Sequence, residues 1–220
     1  MTNRFAYPLA AALALAALVQ PVSAMPVPPA PGQQPVKEMI VEGDLIRVAI
    51  ETEKGRIVVA LDRGNAPLTT ANFLAYVDKG WLNGQPFYRS MPLQNGGLIQ
   101  GGSRDGAKQL PPIGIETTTM TGLKNKAGAI VMANAGGKTT RSDFFILTAD
   151  VPAFDATATS PGFAPFGMVV EGMDVVQAIF ASPRSPTKGD GAMKGQMLDP
   201  AVKIVKAVRV KSAQPDTPRR

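Results

Sequence analysis

The chain contains no cysteine and no histidine. Without cysteine it has no disulfide framework, no lipid-modified cysteine and no redox thiol. Without histidine, Ser-His-Asp and Cys-His nucleophilic catalysis and every histidine-based metal site are excluded. No Walker loop is present, because Gly101-Gly102-Ser103 lacks the Lys-Ser/Thr continuation that a phosphate cradle needs. Basic residues outnumber acidic ones, 23 to 17, but they are scattered. No Lys/Arg run is interleaved with aromatics, so nucleic acid is not an expected partner. The excess charge reads as a solubility feature or a mild attraction to anionic envelope surfaces. Carboxylate pairs remain, such as Asp143 with Asp150 or Asp155, but nothing marks one out as flanking a sugar cleft.

Long apolar runs are scarce as well. The one at Leu9–Val19 is too short to span a bilayer. It follows Arg4 and precedes the small-residue site Val22-Ser23-Ala24, the pattern of an export signal. Residues 1–24 are therefore expected to be a signal peptide, with no stable membrane insertion after its removal. Residues 25–44 form a Pro-rich linker, with five prolines between Met25 and Pro35. Residues 45–211 are long enough for one domain with a full core, and 212–220 are expected to be a disordered tail. The expected location is the periplasm.

What is there begins with alternation. Ile46, Val48 and Ile50, then Ile57, Val59 and Leu61, predict a hairpin over Leu45–Thr52 and Arg56–Asp62, turning at Glu53-Lys54-Gly55. Pro67 sits at a helix start; Thr70, Phe73, Leu74 and Val77 recur at helical spacing, and Gly80 stops the helix. From Phe87 to Thr148 short apolar pieces alternate with glycine-rich breaks, which argues for an antiparallel barrel or sandwich. The pieces are Phe87–Met91, Leu98–Gly101, Ala129–Ala133 and Asp143–Leu147. Phe163–Val170 is a further strand, Met173–Phe180 a second helix ended by Pro183, and Ala201–Val210 a final strand. The fold expected is mainly β: a closed antiparallel barrel capped by two α-helices.

Within Phe87–Met91, strict alternation puts Phe87, Arg89 and Met91 on one face. A guanidinium beside apolar neighbours is costly unless it has partners or a task. Rotation about an X-Pro bond is chemistry that needs neither nucleophile nor metal, and a guanidinium aimed at the prolyl nitrogen suits it. That lone pair becomes available only when the peptide is twisted, so the interaction favours the transition state.

Six short motifs carry a resemblance. They are Phe87-Tyr88-Arg89, Gln100-Gly101-Gly102, Met132-Ala133-Asn134-Ala135-Gly136, Ser142-Asp143-Phe144-Phe145-Ile146, Phe166-Gly167 and Glu171-Gly172-Met173-Asp174-Val175-Val176. In this order, over about residues 46–210, they resemble the cyclophilin peptidyl-prolyl cis-trans isomerases. The resemblance implies an eight-stranded barrel with two capping helices, and proline-containing segments of unfolded or folding proteins bound across its outside. It implies no cofactor and no metal, and a monomer is expected. Arg89 matches the family's catalytic arginine and Gln100 the glutamine beside it. Ala133 and Asn134 match positions that hold the substrate backbone. Leu98, Phe145, Phe154 and Phe163 fall where the family builds its proline pocket.

The departures from the family are informative. About three extra residues lie between Met91 and Gln100, and Gly97 replaces a usual aromatic. Phe163 replaces a common histidine, and Ala153 the indole that cyclosporin-sensitive members carry. Asp143, counted among the substrate-binding positions, stands where glutamine is common. It could orient Arg89 through a salt bridge or over-neutralise it. Two classes of function therefore stand side by side: an exported isomerase, and a peptide-binding module or chaperone of the same fold with weak or no isomerase activity.

Overall fold

A computed structural model describes residues 45–134, 137 and 139–211. The expected signal peptide, linker and tail lie outside the described residues, as do Ala135 and Gly136 of the third motif. Among the described residues ten strands form, eight of them closing a barrel. These eight are β1 (Leu45–Thr52), β2 (Gly55–Asp62), β3 (Pro86–Leu93), β4 (Gly96–Gly101), β6 (Ala129–Met132), β8 (Phe144–Leu147), β9 (Ala164–Glu171) and β10 (Met197–Val210). Around the barrel the order is β1-β10-β3-β4-β8-β6-β9-β2, antiparallel throughout. The remaining two, β5 (Ile113–Gly114) and β7 (Thr139–Thr140), pair as a small ribbon. Helix α1 (Pro67–Asp78) and helix α3 (Met173–Phe180) match the two expected from spacing; α2 (Thr118–Thr121) is a single further turn.

The alternation of the first hairpin does what period 2 requires. Val48 pairs with Val59 and Ile50 with Ile57, and all four are fully buried inside the barrel. Helix α1 adds Phe73, whose ring meets Phe144 edge-on at 5.2 Å and Phe166 at 5.3 Å. Phe87 completes the aromatic centre, 5.7 Å from Phe144. Fully burying each such side chain is worth about 1.5–3 kcal/mol, so this interior is the main source of rigidity for whatever the outer face carries.

Strands β4, β6 and β8 are apolar on both faces, because a second cluster lies on the outside of the barrel. Ile99, Ile130 and Phe144 point in; their neighbours Leu98, Val131 and Phe145 point out and are equally buried, under Met91, Phe154 and Phe163. A closed barrel does not need this outer patch for its own core.

One expectation is corrected. Phe87 does not share a face with Arg89 and Met91. Phe87 pairs with Gly101 and Arg89 with Gln100, so Tyr88 is an extra residue in β3. Such a bulge reverses the face of everything after it. Phe87 goes into the core, whereas Arg89 and Met91 are turned outward, toward the second cluster.

The segment between β4 and β6 is pinned to α1. The Glu116 carboxylate accepts hydrogen bonds from the backbone N–H groups of Leu68 and Thr69, at 3.1 and 2.7 Å, satisfying orphan donors of the helix's first turn. The Tyr76 hydroxyl accepts from the Leu110 N–H at 2.8 Å. Asn72 Nδ2 donates to the Arg141 carbonyl at 2.6 Å, tying the stretch ahead of β8 to the same helix.

Candidate active site

Arg89 leaves β3 immediately after the bulge, directly opposite Gln100 on β4. Its guanidinium is half-buried, and each nitrogen has a partner. Nη1 donates to Gln100 Oε1 at 2.9 Å, Nε and Nη2 donate to Gln196 Oε1 at 2.9 and 2.6 Å, and Nη2 lies 3.0 Å from Met91 Sδ. Burial holds the Arg89 pKa somewhat below its ordinary value, and a guanidinium stays charged in proteins regardless. The side chain is thus fixed in orientation, as a cation, by neutral acceptors alone.

Gln196 carries no signal in the sequence. It lies just ahead of β10, in a glycine-rich stretch without periodicity, 107 residues from Arg89. It is set by its own amide, which donates to the Ala192 carbonyl at 2.8 Å, and by its backbone carbonyl, which accepts from the Ser90 N–H at 2.9 Å. Strand β10 starts at Met197, earlier than alternation suggested, and Met197 pairs with Arg89.

The extra residues between Met91 and Gln100 do not disturb the pair. They lengthen the β3–β4 hairpin, with Leu93 opposite Gly96 and only Gln94 and Asn95 in the turn. Gly97 is required by close approach: a Cβ there would lie 2.1 Å from the Met91 carbonyl and 2.6 Å from the Phe180 ring. Phe180 of α3 occupies the space next to Gly97.

Beside Arg89 the outer cluster forms an aromatic floor. Phe145 and Leu98 are nearly inaccessible, at 2% and 3%, and Phe154 and Phe163 stand half-buried around them. Phe145 lies edge-on to Phe163 at 5.3 Å and to Phe154 at 5.9 Å, and Phe154 and Phe163 are 4.8 Å apart. Ala153 next to them is exposed.

On the other side a cavity of about 620 Å³ opens, lined by Arg89, Gln100, Ala133, Asn134 and Asp143 among others. Ala133 also packs against the aromatic cluster, so floor and cavity meet there. All nine residues expected at the site are brought together: Arg89 and Gln100 as a hydrogen-bonded pair; Leu98, Phe145, Phe154 and Phe163 as the floor; Ala133, Asn134 and Asp143 along the cavity.

Asp143 makes no salt bridge to Arg89 among the described residues. Its carboxylate is directed to Arg104, 4.0 Å away, and to Tyr88, not to Arg89. The other oxygen, Oδ1, is buried without a partner among the described residues, beside Gly102, where a Cβ would come within 2.5 Å of it. Burial pushes the Asp143 pKa up, against the pull of Arg104. Burial and then the Asp143 charge push the Tyr88 hydroxyl up well above its ordinary value. Arg104 stacks on the Tyr88 ring, 4.6 Å from its centroid.

Comparison with known proteins agrees with the fold. Residues 47–209 match the family described as cyclophilin type peptidyl-prolyl cis-trans isomerase/CLD. The chain is 34% identical over 168 residues to a peptidyl-prolyl cis-trans isomerase of Acinetobacter baylyi, covering 75% of this chain and 85% of that one. It is 37% identical over 135 residues to peptidyl-prolyl cis-trans isomerase A of Dickeya dadantii, covering 60% and 70%. Among solved structures, a cyclophilin type peptidyl-prolyl cis-trans isomerase of Cryptosporidium parvum superposes with a TM-score of 0.63 at 21% identity, over 78% of this chain and 99% of that one. A structure of that protein in the presence of the dipeptide Ala-Pro gives 0.61 at 22% identity, over 75% and 99%. With the barrel, the six ordered motifs and a family match running from β1 to β10, the chain belongs to the cyclophilin-type peptidyl-prolyl cis-trans isomerases.

Proposed function

We propose that this isomerase accelerates cis/trans exchange at X-Pro bonds of exported proteins in a bacterial periplasm, with Arg89 as the group that stabilises the twisted amide. The observation that carries the mechanism is the guanidinium fixed by Gln100 and Gln196 at the rim of the Phe145/Phe154/Phe163 floor. The uncatalysed barrier, about 18–20 kcal/mol, comes from amide resonance. Apolar rings that hold the proline ring leave the preceding carbonyl group free to turn. As it turns, the prolyl nitrogen pyramidalises and its lone pair becomes a hydrogen-bond acceptor that neither planar form offers. A donor waiting there binds the transition state more tightly than either ground state. Ala133 and Asn134 are the groups along the cavity edge suited to hold the peptide backbone.

The export-signal pattern in the first 24 residues supports the location. Recovery of the mature chain from a periplasmic extract, with an N-terminus near Met25, tests it; a cytoplasmic, uncleaved chain would contradict it.

The mechanism is tested by exchange spectroscopy on an X-Pro peptide with wild type and Arg89→Ala. The expected result is exchange broadening with wild type and a loss on the order of 10²-fold or more in the variant, the range for removing one preorganised donor. Equal rates for the two proteins would overturn the role given to Arg89. Saturable binding by wild type without exchange would instead favour a peptide-binding module.

A further inference from the structure

The cavity beside Arg89 carries a charge imbalance that isomerisation itself does not need. Among the described residues its lining includes three arginines, Arg89, Arg104 and Arg141, against one acidic residue, Asp143. The Arg104–Asp143 contact is 4.0 Å long, and both side chains are at least a third exposed, so it leaves most of the Arg104 charge uncompensated. Arg141 has no acidic partner among the described residues. Neither arginine is carried on an untethered loop. The backbone N–H of Arg104 donates to Gln85 Oε1 at 2.7 Å, and its guanidinium is stacked on Tyr88. The Arg141 carbonyl accepts from Asn72 of α1 at 2.6 Å. The cavity is continuous with Arg89 and Ala133, so a peptide whose proline sits on the aromatic floor runs its neighbouring residues past these two arginines.

We infer that the cavity selects X-Pro segments bearing a carboxylate side chain close to the proline, with Arg104 and Arg141 as the specificity-determining residues. This inference rests on the isomerase reading and narrows its substrate class. A carboxylate gains from both cations, and an ammonium group at the same place is repelled by both. Exposed pairs are individually weak, but exchanging Glu for Lys reverses the sign of each interaction. The expected discrimination is about tenfold in catalytic efficiency, equivalent to about 1.4 kcal/mol.

The test is a set of X-Pro peptides of equal length carrying Glu, Ala or Lys at each of the two residues on either side of the proline. At one position or more, wild type should prefer Glu over Lys by about tenfold. Raising the salt from 0.1 to 1 M shortens the screening length from about 10 to about 3 Å and should shrink that ratio severalfold. The double variant Arg104→Gln/Arg141→Gln should bring it below about threefold. Lys206→Gln removes the same charge from β10, outside the cavity, and should leave the ratio intact. A wild-type ratio near one at every position would overturn the inference. So would a salt-independent ratio, a ratio that survives the double variant, or an equal fall in Lys206→Gln. A wild type inert toward all peptides, the neutral ones included, would instead bring down the isomerase reading, and this inference with it.

Discussion

Replacing Gln196 by methionine isolates a contact at the site that carries no signal in the sequence. Methionine keeps the length and flexibility of the side chain but removes the oxygen that accepts from Arg89 Nε and Nη2. Arg89 would then keep a single amide acceptor, Gln100, on Nη1, together with the weak sulfur contact to Met91. One acceptor fixes a point on the guanidinium but not its plane. Because Arg89 is half-buried, water can take over the vacated nitrogens, so the stability cost should be modest, about 1 kcal/mol. That corresponds to roughly 2–4 °C in Tm for a chain of this size. The catalytic cost should be larger, because misplacement of a reacting group by about 1 Å can cost on the order of 10²-fold. We expect kcat/KM for an X-Pro peptide to fall about 10- to 100-fold.

The companion variant, Gln196→Glu, restores oxygen acceptors at the same reach and should recover part of the loss. It should stay below wild type, because its charge neutralises the cation it positions. Exchange spectroscopy and thermal denaturation on the three proteins provide the readouts. If Gln196→Met stays within about threefold of wild type, the positioning role is wrong. If Gln196→Glu is as slow as Gln196→Met at an unchanged Tm, orientation is not what Gln196 supplies.

Three further outcomes follow from the geometry. Gly97→Ala drives a Cβ into the Met91 carbonyl and the Phe180 ring; it should lower stability by at least about 1–3 kcal/mol, and a denaturant midpoint matching wild type would contradict this. Burial raises the Asp143 pKa in the folded protein, so ionising Asp143 opposes folding: the native state loses stability as pH rises through that pKa. Asp143→Asn should therefore match wild type below the ordinary carboxylate pKa and exceed it by a margin that grows until the raised pKa is passed and is constant above it, and a difference independent of pH across that window would refute the assignment. With the exposed Ala153 in place of an indole, cyclosporin should bind weakly, and a tight calorimetric titration would count against the floor as described.

Much of the fold is legible in the sequence because period 2 is a local signal. Ile46-Val48-Ile50 and Ile57-Val59-Leu61 reveal their hairpin without any long-range information, and Phe73 and Val77 reveal α1 in the same way. Legibility ends where one residue is added or where partners are distant. The bulge at Tyr88 has no local signature, so alternation assigns Phe87 and Arg89 to one face when they lie on opposite faces. Gln196 reaches Arg89 across 107 residues from a stretch without periodicity. Asp143 lines the same cavity as Arg89 but pairs with Arg104, a choice that depends on where the β4–β6 segment is pinned. That pinning runs through Glu116 and Tyr76, which nothing nearby in the sequence marks as contacts of that segment.

For the proposed mechanism the identity of Arg89's partners matters more than their number. A carboxylate in contact with the guanidinium would hold it just as firmly, but would place an opposing charge next to the prolyl nitrogen. The cation would then be stabilised equally in the planar and the twisted peptide, and part of its advantage in the transition state would be lost. Two amide oxygens and a thioether orient the group without cancelling its charge. The one carboxylate on the cavity wall, Asp143, is turned away toward Arg104 and Tyr88. On the proposed mechanism Arg104 would do two things at once: keep Asp143 off Arg89, and retain most of its own charge for the substrate. Removing Arg104 alone should consequently leave Asp143 free to turn toward Arg89 and slow catalysis even on neutral peptides. Removing Arg141 alone should change only the preference between charged ones. Comparing the two single variants on an uncharged X-Pro peptide tests this division, and equal rates on that peptide would refute it.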